Sequence, residues 1–246
     1  MQVPQSLAPL VDLIFPPRCP LCGEALAVHG GLCAACWAGL IIPGEPACTR
    51  CQRPLGEGIE AGSVCAPCLA KPPVHDGIAA ATLYNEASRK LVLALKHGRR
   101  IALAEQLARL MLPRLGMVEP DWLVVPVPLH RWRLWRRGFN QSALMGRWLA
   151  TRTGARLVVD ALLRRKATPM LGGLGRAARR RVLGGAIGIN PRRADIVKGA
   201  RVLLVDDVLT SGATSEACVK ALKRAGAEKV MIACFARVLD EVLDPA

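Results

Sequence analysis

The stretch Arg201–Thr214, which reads RVLLVDDVLTSGAT, decides the fold of the chain. Its apolar run Val202–Val205 is short and continuous, as in the buried strands of parallel sheets. Two adjacent carboxylates, Asp206 and Asp207, stand at the expected carboxyl end of that strand. A small, hydroxyl-rich loop then leads into a predicted helix over residues 215–225. The stretch therefore predicts a strand, a loop and a helix, with polar groups gathered where the strand ends.

The loop has the composition of a phosphate-binding turn. Its residues are Thr210, Ser211, Gly212, Ala213 and Thr214. Small residues leave backbone N–H groups accessible, and the N-terminus of the following helix favours negative charge. Because two carboxylates would repel a phosphate, we expect Asp206 and Asp207 to bind sugar hydroxyls, with a divalent cation nearby. The pattern predicts a ribose 5-phosphate site rather than a Walker loop, which needs Gly-Lys-Ser/Thr; a solvated turn capped by a threonine is the alternative.

Apolar strands alternate with amphipathic helices around this stretch. Strands are predicted at residues 77–83, 122–125 and 229–237, and helices at residues 89–97, 101–115 and 142–151. Such alternation predicts an α/β domain with a parallel sheet and right-handed crossovers. The carboxyl ends of its strands are where a ligand is expected.

The N-terminal part of the chain is rich in cysteine. Eight of the ten cysteines form four Cys-x-x-Cys pairs: Cys19/Cys22, Cys33/Cys36, Cys48/Cys51 and Cys65/Cys68. Two such pairs can complete a tetrahedral all-thiolate zinc site, which has no open position and is therefore structural. We expect two zinc ions, held either by pairs taken in chain order or by crossed pairs. Redox pairs or disulfides are the alternative, and Cys218 and Cys234 are predicted to be buried in the core.

These features divide the chain into two predicted domains. Residues 1–72 form the zinc module, Lys71-Pro72-Pro73 is the linker, and residues 73–246 form the α/β domain. The N-terminus lacks the basic start and cleavage site of a secretory signal, so we expect a cytoplasmic protein. Residues 25–44 are uncharged, but their glycines, proline and paired cysteines argue against a membrane span.

Positive charge is concentrated in one region. The net charge is +15, and residues 131–193 hold 16 lysines and arginines but one acid, Asp160. This imbalance predicts an anionic partner. The run Arg131–Phe139 mixes arginine with tryptophan, which suits a hood over a phosphate ligand or a surface that stacks single-stranded nucleic acid. An amphipathic helix with solvated arginines is the third interpretation.

The stretch around Asp206 resembles the phosphoribosyl pyrophosphate (PRPP) motif of type I phosphoribosyltransferases. Three more segments, Leu95–Gly98, Val125–His130 and Arg137–Gln141, resemble the ComF family of competence-associated proteins. The resemblance covers roughly residues 15–238. It implies a type I phosphoribosyltransferase-like parallel sheet with helices on both faces, preceded by a double zinc ribbon.

The resemblance also implies roles for individual residues. Asp206 and Asp207 would be the catalytic pair, with Mg²⁺ arriving together with PRPP. The pyrophosphate would lie on Val127, Pro128, Leu129 and His130, with Lys96 and Arg137 as further phosphate contacts. A rigid strand end is the alternative for Val127–His130, and a solvated lysine is the alternative for Lys96.

Three functions remain open at this point. The first is a Mg-dependent phosphoribosyltransferase that acts on an unknown acceptor and has no direct DNA role. The second, implied by the ComF resemblance, is a protein of DNA uptake or DNA utilisation that binds single-stranded DNA, with a competence helicase or processing protein and a second copy of the chain as further partners. The residues expected to contact DNA are Arg131, Trp132, Arg133, Trp135, Arg136, Arg164, Arg165, Arg179, Arg180 and Arg181. The third is a docking module whose sites are relics.

Overall fold

Five parallel strands form the central sheet of the computed structural model, which describes residues 15–97, 100–116, 118–166 and 185–239. The strands are β1 (Ile78–Leu83), β2 (Leu123–Pro126), β3 (Arg156–Leu157), β6 (Arg201–Leu209) and β7 (Lys229–Arg237). Their order across the sheet is β1-β7-β6-β2-β3. A separate antiparallel pair is formed by β4 (Leu162–Arg164) and β5 (Ile187–Ile189). The predicted parallel sheet is confirmed, with β6 near its centre.

Both faces of the sheet are covered, because successive side chains of a strand point to opposite faces. The helices of the α/β domain are α3 (Glu86–His97), α4 (Leu103–Met111), α5 (Arg131–Arg137), α6 (Gln141–Thr153), α7 (Ala194–Val197) and α8 (Ala213–Arg224). On one face, Leu203 and Val205 pack with α3, α4 and α6. On the other face, Val202 and Leu204 pack with α8 and with the β4–β5 pair.

Most predicted elements differ from the structure by one to three residues at an end, and two differ by more. The strand predicted at residues 202–205 continues as β6 to Leu209, since Val208 and Leu209 pair with Ala236 and Arg237 of β7. The helix predicted at residues 101–115 is shorter, and a turn of 3₁₀ helix, Leu112–Arg114, follows α4. A second 3₁₀ turn, Pro191–Arg193, and the short strands β3, β4 and β5 were not predicted.

The cysteine-rich part of the chain lies against the β1 edge of the sheet. It contains two short helices, α1 (Ala34–Ala38) and α2 (Ala66–Ala70), each preceded by a cysteine. Ile41 forms an antiparallel bridge with Leu83, and the backbone N–H of Ala80 donates to Oε1 of Gln52 at 3.3 Å. These contacts cover backbone groups that an edge strand would otherwise leave exposed. The boundary between residues 72 and 73 stays a prediction.

Two of the smaller sequence predictions can be compared directly with the structure. Cys218 and Cys234 are fully buried in the core, as predicted. No helix within the described ranges is long and apolar enough to cross a membrane. Arg179, Arg180 and Arg181 lie outside the described residues.

Candidate functional site

The two acidic residues of β6 are buried where the strand approaches its carboxyl end. Three side chains from two helices are their partners. The Ser142 hydroxyl donates to Oδ1 of Asp206 and the Gln141 amide donates to Oδ1 of Asp207, each at 3.4 Å. The Lys96 ammonium, from α3, forms an ion pair with Oδ2 of Asp207. The acid pair is thus held by the N-terminal turn of α6 and by the C-terminal turn of α3.

Close packing of α6 on the sheet brings these donors to the acids. Gly146 lies where a Cβ atom would come within 3.3 Å of Cγ1 of Val124 and 3.5 Å of Cδ1 of Leu157. The absence of a side chain therefore lets the helix approach β2 and β3 closely. Asn140 is the N-cap of α6, and its side-chain oxygen accepts a hydrogen bond from the N–H of Ser142 at 3.0 Å.

Burial and mutual repulsion change the acid–base properties of the pair. Desolvation raises the pKa of Asp206, the adjacent Asp207 raises it further, and Lys96 lowers it. The backbone N–H of Asp207 donates to Oδ1 of Asp206 at 2.9 Å, which favours the charged form. A cation or a set of hydroxyl donors that entered the site would relieve the remaining repulsion.

The predicted phosphate loop, Thr210–Thr214, follows β6 directly and leads into α8. Gly212 has φ of +73° and is the N-cap of α8, so the turn uses a backbone conformation that glycine adopts without strain. Glycine has no side chain to cap the helix, which leaves the N–H groups of the first turn available to an anion. The loop encloses a cavity of about 50 Å³, lined also by Asp206 and Val208. This geometry suits a single phosphate group.

The predicted pyrophosphate segment, Val127–His130, lies at the same edge of the sheet. Pro126 of β2 is in register with Val205 of β6, so the segment begins beside the acid pair. The N–H of Val127 donates to the Val205 carbonyl at 2.9 Å, and the Asn140 amide donates to the Val127 carbonyl at 3.1 Å. The imidazole of His130 caps α5, accepting from the Trp132 N–H at 3.4 Å. The structure therefore brings together the two segments predicted to bind phosphates.

Arg137 connects this segment to the acid pair through Gln141. Its Nη1 donates to Oε1 of Gln141 at 2.6 Å, and the Gln141 amide donates in turn to Asp207. Burial lowers the pKa of Arg137, and the nearby Asp207 carboxylate opposes that shift. Sequence reasoning assigned no role to Gln141 or Ser142. The signal was available, since Gln141 ends the quoted segment Arg137–Gln141 and Asn140 is a strong helix N-cap.

The arginine- and tryptophan-rich run forms α5, a helix with no buried residue. Trp132 and Trp135 are 62% and 79% exposed, and their rings meet edge to face with centroids 6.2 Å apart. The helix follows the pyrophosphate segment directly in the chain. The structure is compatible with each of the three interpretations given for this run.

Two more predicted DNA contacts lie at the β4–β5 pair. Arg164 is half-buried, which lowers its pKa, and the positive charge of Arg133 lowers it further. The Arg165 guanidinium donates to the Ile189 carbonyl at 3.5 Å. The basic groups predicted to contact DNA in the described residues are called the basic surface below; they are Arg131, Arg133 and Arg136 of α5, together with Arg164 and Arg165.

The eight paired cysteines form two groups in chain order. Within each group the sulfur atoms lie within 4.8 Å of one another: the first cysteine cluster is Cys19, Cys22, Cys33 and Cys36, and the second is Cys48, Cys51, Cys65 and Cys68. The crossed arrangement, left open by the sequence, is wrong. Four soft thiolates at this spacing match the tetrahedral ligand set of structural zinc. The second cluster is wholly buried and packs in the same apolar core as Ile78 and Ala80.

Comparisons with known proteins agree with this geometry. A family model described as a double zinc ribbon domain matches residues 10–69, and one described as a phosphoribosyl transferase domain matches residues 157–245. DNA utilization protein YhgH of Salmonella typhi is 34% identical over 236 residues, covering 92% of this chain and 100% of that protein. Competence protein F of Haemophilus influenzae is 29% identical over 227 residues, covering 89% and 96%. The chain belongs to the ComF family.

The ComF assignment covers both halves of the chain. It confirms the family resemblance seen in the sequence and the predicted order of zinc module and phosphoribosyltransferase-like domain. A shorter match falls on adenine phosphoribosyltransferase of Streptomyces galbus, which is 48% identical over 44 residues, or 18% of this chain and 24% of that protein. The donor sets of the two cysteine clusters fit the two zinc ions that a double zinc ribbon requires.

Proposed function

We propose that this ComF protein binds PRPP, or a related ribose 5-phosphate, at the carboxyl ends of β2 and β6 and acts in DNA uptake or DNA utilisation. One observation carries the first part of the proposal. A glycine-capped helix N-terminus, lined with hydroxyl groups, lies directly beside a buried pair of carboxylates. That combination provides separate places for a phosphate and for sugar hydroxyls.

Each part of the ligand has a matching group on the protein. The 5-phosphate lies in the loop Thr210–Thr214, where backbone N–H groups and hydroxyls donate. The ribose hydroxyls donate to Asp206 and Asp207. The pyrophosphate lies along Val127–His130, and Arg137 balances part of its charge.

Mg²⁺ fits the donor set of this site, since carboxylate oxygens are its preferred protein ligands. Asp207 already pairs with Lys96, and Asp206 accepts from Ser142. Mg²⁺ keeps several waters and is usually held by one or two carboxylates together with substrate phosphates. Its chemical contribution would be to neutralise the charge of the leaving pyrophosphate, while the protein residues orient the ribose.

The second part of the proposal concerns the basic surface. Single-stranded DNA stacks its bases on exposed aromatic rings and pairs its phosphates with arginines. Trp132 and Trp135 present such rings, and Arg131, Arg133 and Arg136 are their neighbours in the sequence of the same helix. A DNA-processing protein of the competence type and a second copy of the chain are further proposed partners. The alternative function is a phosphoribosyltransferase that uses the same site on an acceptor and has no direct DNA role.

Calorimetric titration of the zinc-loaded protein with Mg-PRPP tests the ligand assignment. We expect saturable binding by the wild type and its loss in the double variant Asp206→Asn/Asp207→Asn. Asp195→Asn is the matched control, because Asp195 is an exposed acid on α7. Equal binding by the double variant, or no binding by a folded wild type that retains its zinc, would contradict the proposal.

A further inference from the structure

A second pocket lies on the opposite side of the phosphate loop, between the α/β domain and the second cysteine cluster. Its volume is about 230 Å³. Its walls come from the second cysteine cluster, the segments Lys71–His75 and Leu209–Gly212, and Ile232 and Arg237 of β7. The pocket shares one wall with the site described above and extends away from the acid pair, towards the β1 edge.

Arg237 is the unusual residue of this pocket. It is 9% exposed, and in the described part of the chain no group accepts a hydrogen bond from its Nη1 atom. No described carboxylate lies within ion-pair distance of it either, whereas the exposed Arg201 has two such partners. A buried guanidinium costs several kcal/mol unless an anion compensates it. The thiolates of the second cysteine cluster bring negative charge to the same pocket, but none of them accepts a hydrogen bond from Nη1 of Arg237, which leaves this donor for a ligand.

The neighbours of Arg237 increase the positive charge and add a second donor. Arg53 and Lys71 also line the pocket. The acid that lines it, Glu216, pairs with Lys220 at 2.8 Å. His75 is neutral near pH 7, because burial and the charge of Arg237 lower its pKa to about 4, and among the described residues its Nδ1 has no hydrogen-bond partner.

Part of the remaining wall is apolar. Pro72, Val74 and Ile232 face the space between the charged groups. Pockets for drug-sized ligands measure roughly 300–1,000 Å³, so this one suits a smaller molecule, the size of a single ring. A single guanidinium can bind a carboxylate through two parallel hydrogen bonds. A phosphate needs several donors, so one buried arginine suits a carboxylate better.

We propose that this pocket binds a small aromatic carboxylate. Its carboxylate group pairs with Arg237 and accepts a hydrogen bond from His75, and its ring lies against Pro72. The site lies beside the proposed PRPP site, with which it shares Thr210–Gly212, and does not depend on PRPP for its binding. The proposed ligand lies between the zinc module and the α/β domain.

Binding of nicotinate and benzoate to the zinc-loaded protein, without PRPP, tests the proposal by calorimetry. The amides nicotinamide and benzamide are the controls, since they keep the ring and lose the charge. We expect the acids to bind and the amides to bind at least about tenfold more weakly, as for the loss of a charged hydrogen bond. Arg237→Gln should cause a loss of similar size, while Lys229→Gln, an exposed change at the other end of β7, should bind like the wild type.

Several outcomes would overturn the proposal. These are equal binding of acids and amides, no binding of either acid at millimolar concentration, and unchanged binding by Arg237→Gln. If Arg237→Gln does not fold, Arg237→Lys decides, because it keeps the charge and removes the planar fork; unchanged nicotinate affinity in that variant contradicts the proposal. Loss of zinc from Arg237→Gln, with no carboxylate binding by the wild type, would identify the guanidinium as a counter-ion of the second cysteine cluster.

Discussion

Lys96 of α3 and Asp207 of β6 form an ion pair in which the carboxylate is almost fully buried and the ammonium is three-quarters buried. The pair connects one of the segments that resemble the ComF family, Leu95–Gly98, to the acid pair of the PRPP-type motif. Lys96 was predicted to contact phosphate, and in the structure it neutralises part of the charge beside the loop. Its two roles are compatible, because a lysine near a carboxylate can also face an incoming phosphate.

Removal of the lysine charge should destabilise the protein. Lys96→Gln leaves Asp207 buried beside Asp206 without its cation, and we expect the free energy of unfolding to fall by about 2–3 kcal/mol, less than for a fully buried pair because Lys96 is partly exposed. Chemical denaturation measures this change. Lys90→Gln on the same helix is the control, since Lys90 forms an exposed pair with Glu86, which is worth less than about 1 kcal/mol.

A double-variant cycle separates the ion pair from other effects of the substitution. Adding Asp207→Asn to Lys96→Gln removes both charges and should restore part of the lost stability. If the two effects simply add, the ion pair does not stabilise the folded protein and the interpretation fails.

His75 should make stability depend on pH between about pH 6.5 and 4. Its pKa is lowered in the folded protein from 6.5 to about 4, so the unfolded chain binds a proton first as the pH falls. The contribution of neutral His75 to the free energy of unfolding is therefore fully present above the unfolded pKa. It is lost as the pH falls through this window, and the loss is roughly 3 kcal/mol at most. Denaturation of the wild type and His75→Phe at pH 7 and pH 5.5 checks this sign. Equal pH dependence in the two proteins would contradict it, and zinc content must be equal at both pH values.

The fold of the β6–loop–α8 unit could be predicted because its signals are local. An apolar run, a small-residue turn and a helical pattern follow one another within Arg201–Arg224, and each reflects backbone preferences over a few residues. The end of β6 was missed for a related reason. Asp206 and Asp207 interrupt the apolar run, so the sequence alone indicates that the strand ends there. The pairing of β6 with β7 nevertheless continues to Leu209, which is seen only once the partner strand is known.

The partners of the acid pair could not be predicted, since they come from distant parts of the chain. Gln141 is 66 residues away from Asp207, and Ser142 is 64 residues away from Asp206. Their approach depends on how closely α6 packs on β2 at Gly146. Arg237 was likewise taken only as the end of a strand, because its burial depends on the pocket walls contributed by the cysteine-rich segment.

The two cysteine clusters should contribute unequally to stability. We expect Cys48→Ser and Cys22→Ser each to lose roughly one zinc per chain, because each removes one of four ligands. Cys48 is fully buried in a cluster that packs on the sheet, whereas Cys22 is exposed. Cys48→Ser should therefore lower the unfolding temperature of the whole chain more than Cys22→Ser. Zinc analysis and calorimetry measure the two effects.

The control for these variants is Cys218→Ala, which removes a buried thiol that belongs to neither cluster. It should keep both zinc ions and show only the modest loss expected for a smaller core side chain. Unchanged zinc content in either cluster variant would contradict the ligand assignment.

Single-stranded DNA binding should depend on the exposed rings of α5. Stacking of a base on an aromatic ring is worth about 1–3 kcal/mol, so Trp132→Ala and Trp135→Ala should each weaken binding of a labelled oligothymidylate at least about fivefold. Trp37→Ala is the control, because Trp37 is a 48% exposed tryptophan of the cysteine-rich part and lies outside the basic region. Fluorescence anisotropy gives the three affinities.

Salt dependence then tests whether arginines contact the DNA phosphates. Each contact releases counter-ions, so the affinity should fall steeply between about 50 and 200 mM salt, and Arg133→Gln/Arg136→Gln should make that fall less steep. Arg109→Gln is the matched control, since Arg109 is an exposed arginine of α4 that pairs with Glu105. An affinity that does not change with salt would exclude the basic surface as a DNA site. With PRPP binding intact, that result would favour the phosphoribosyltransferase without a direct DNA role.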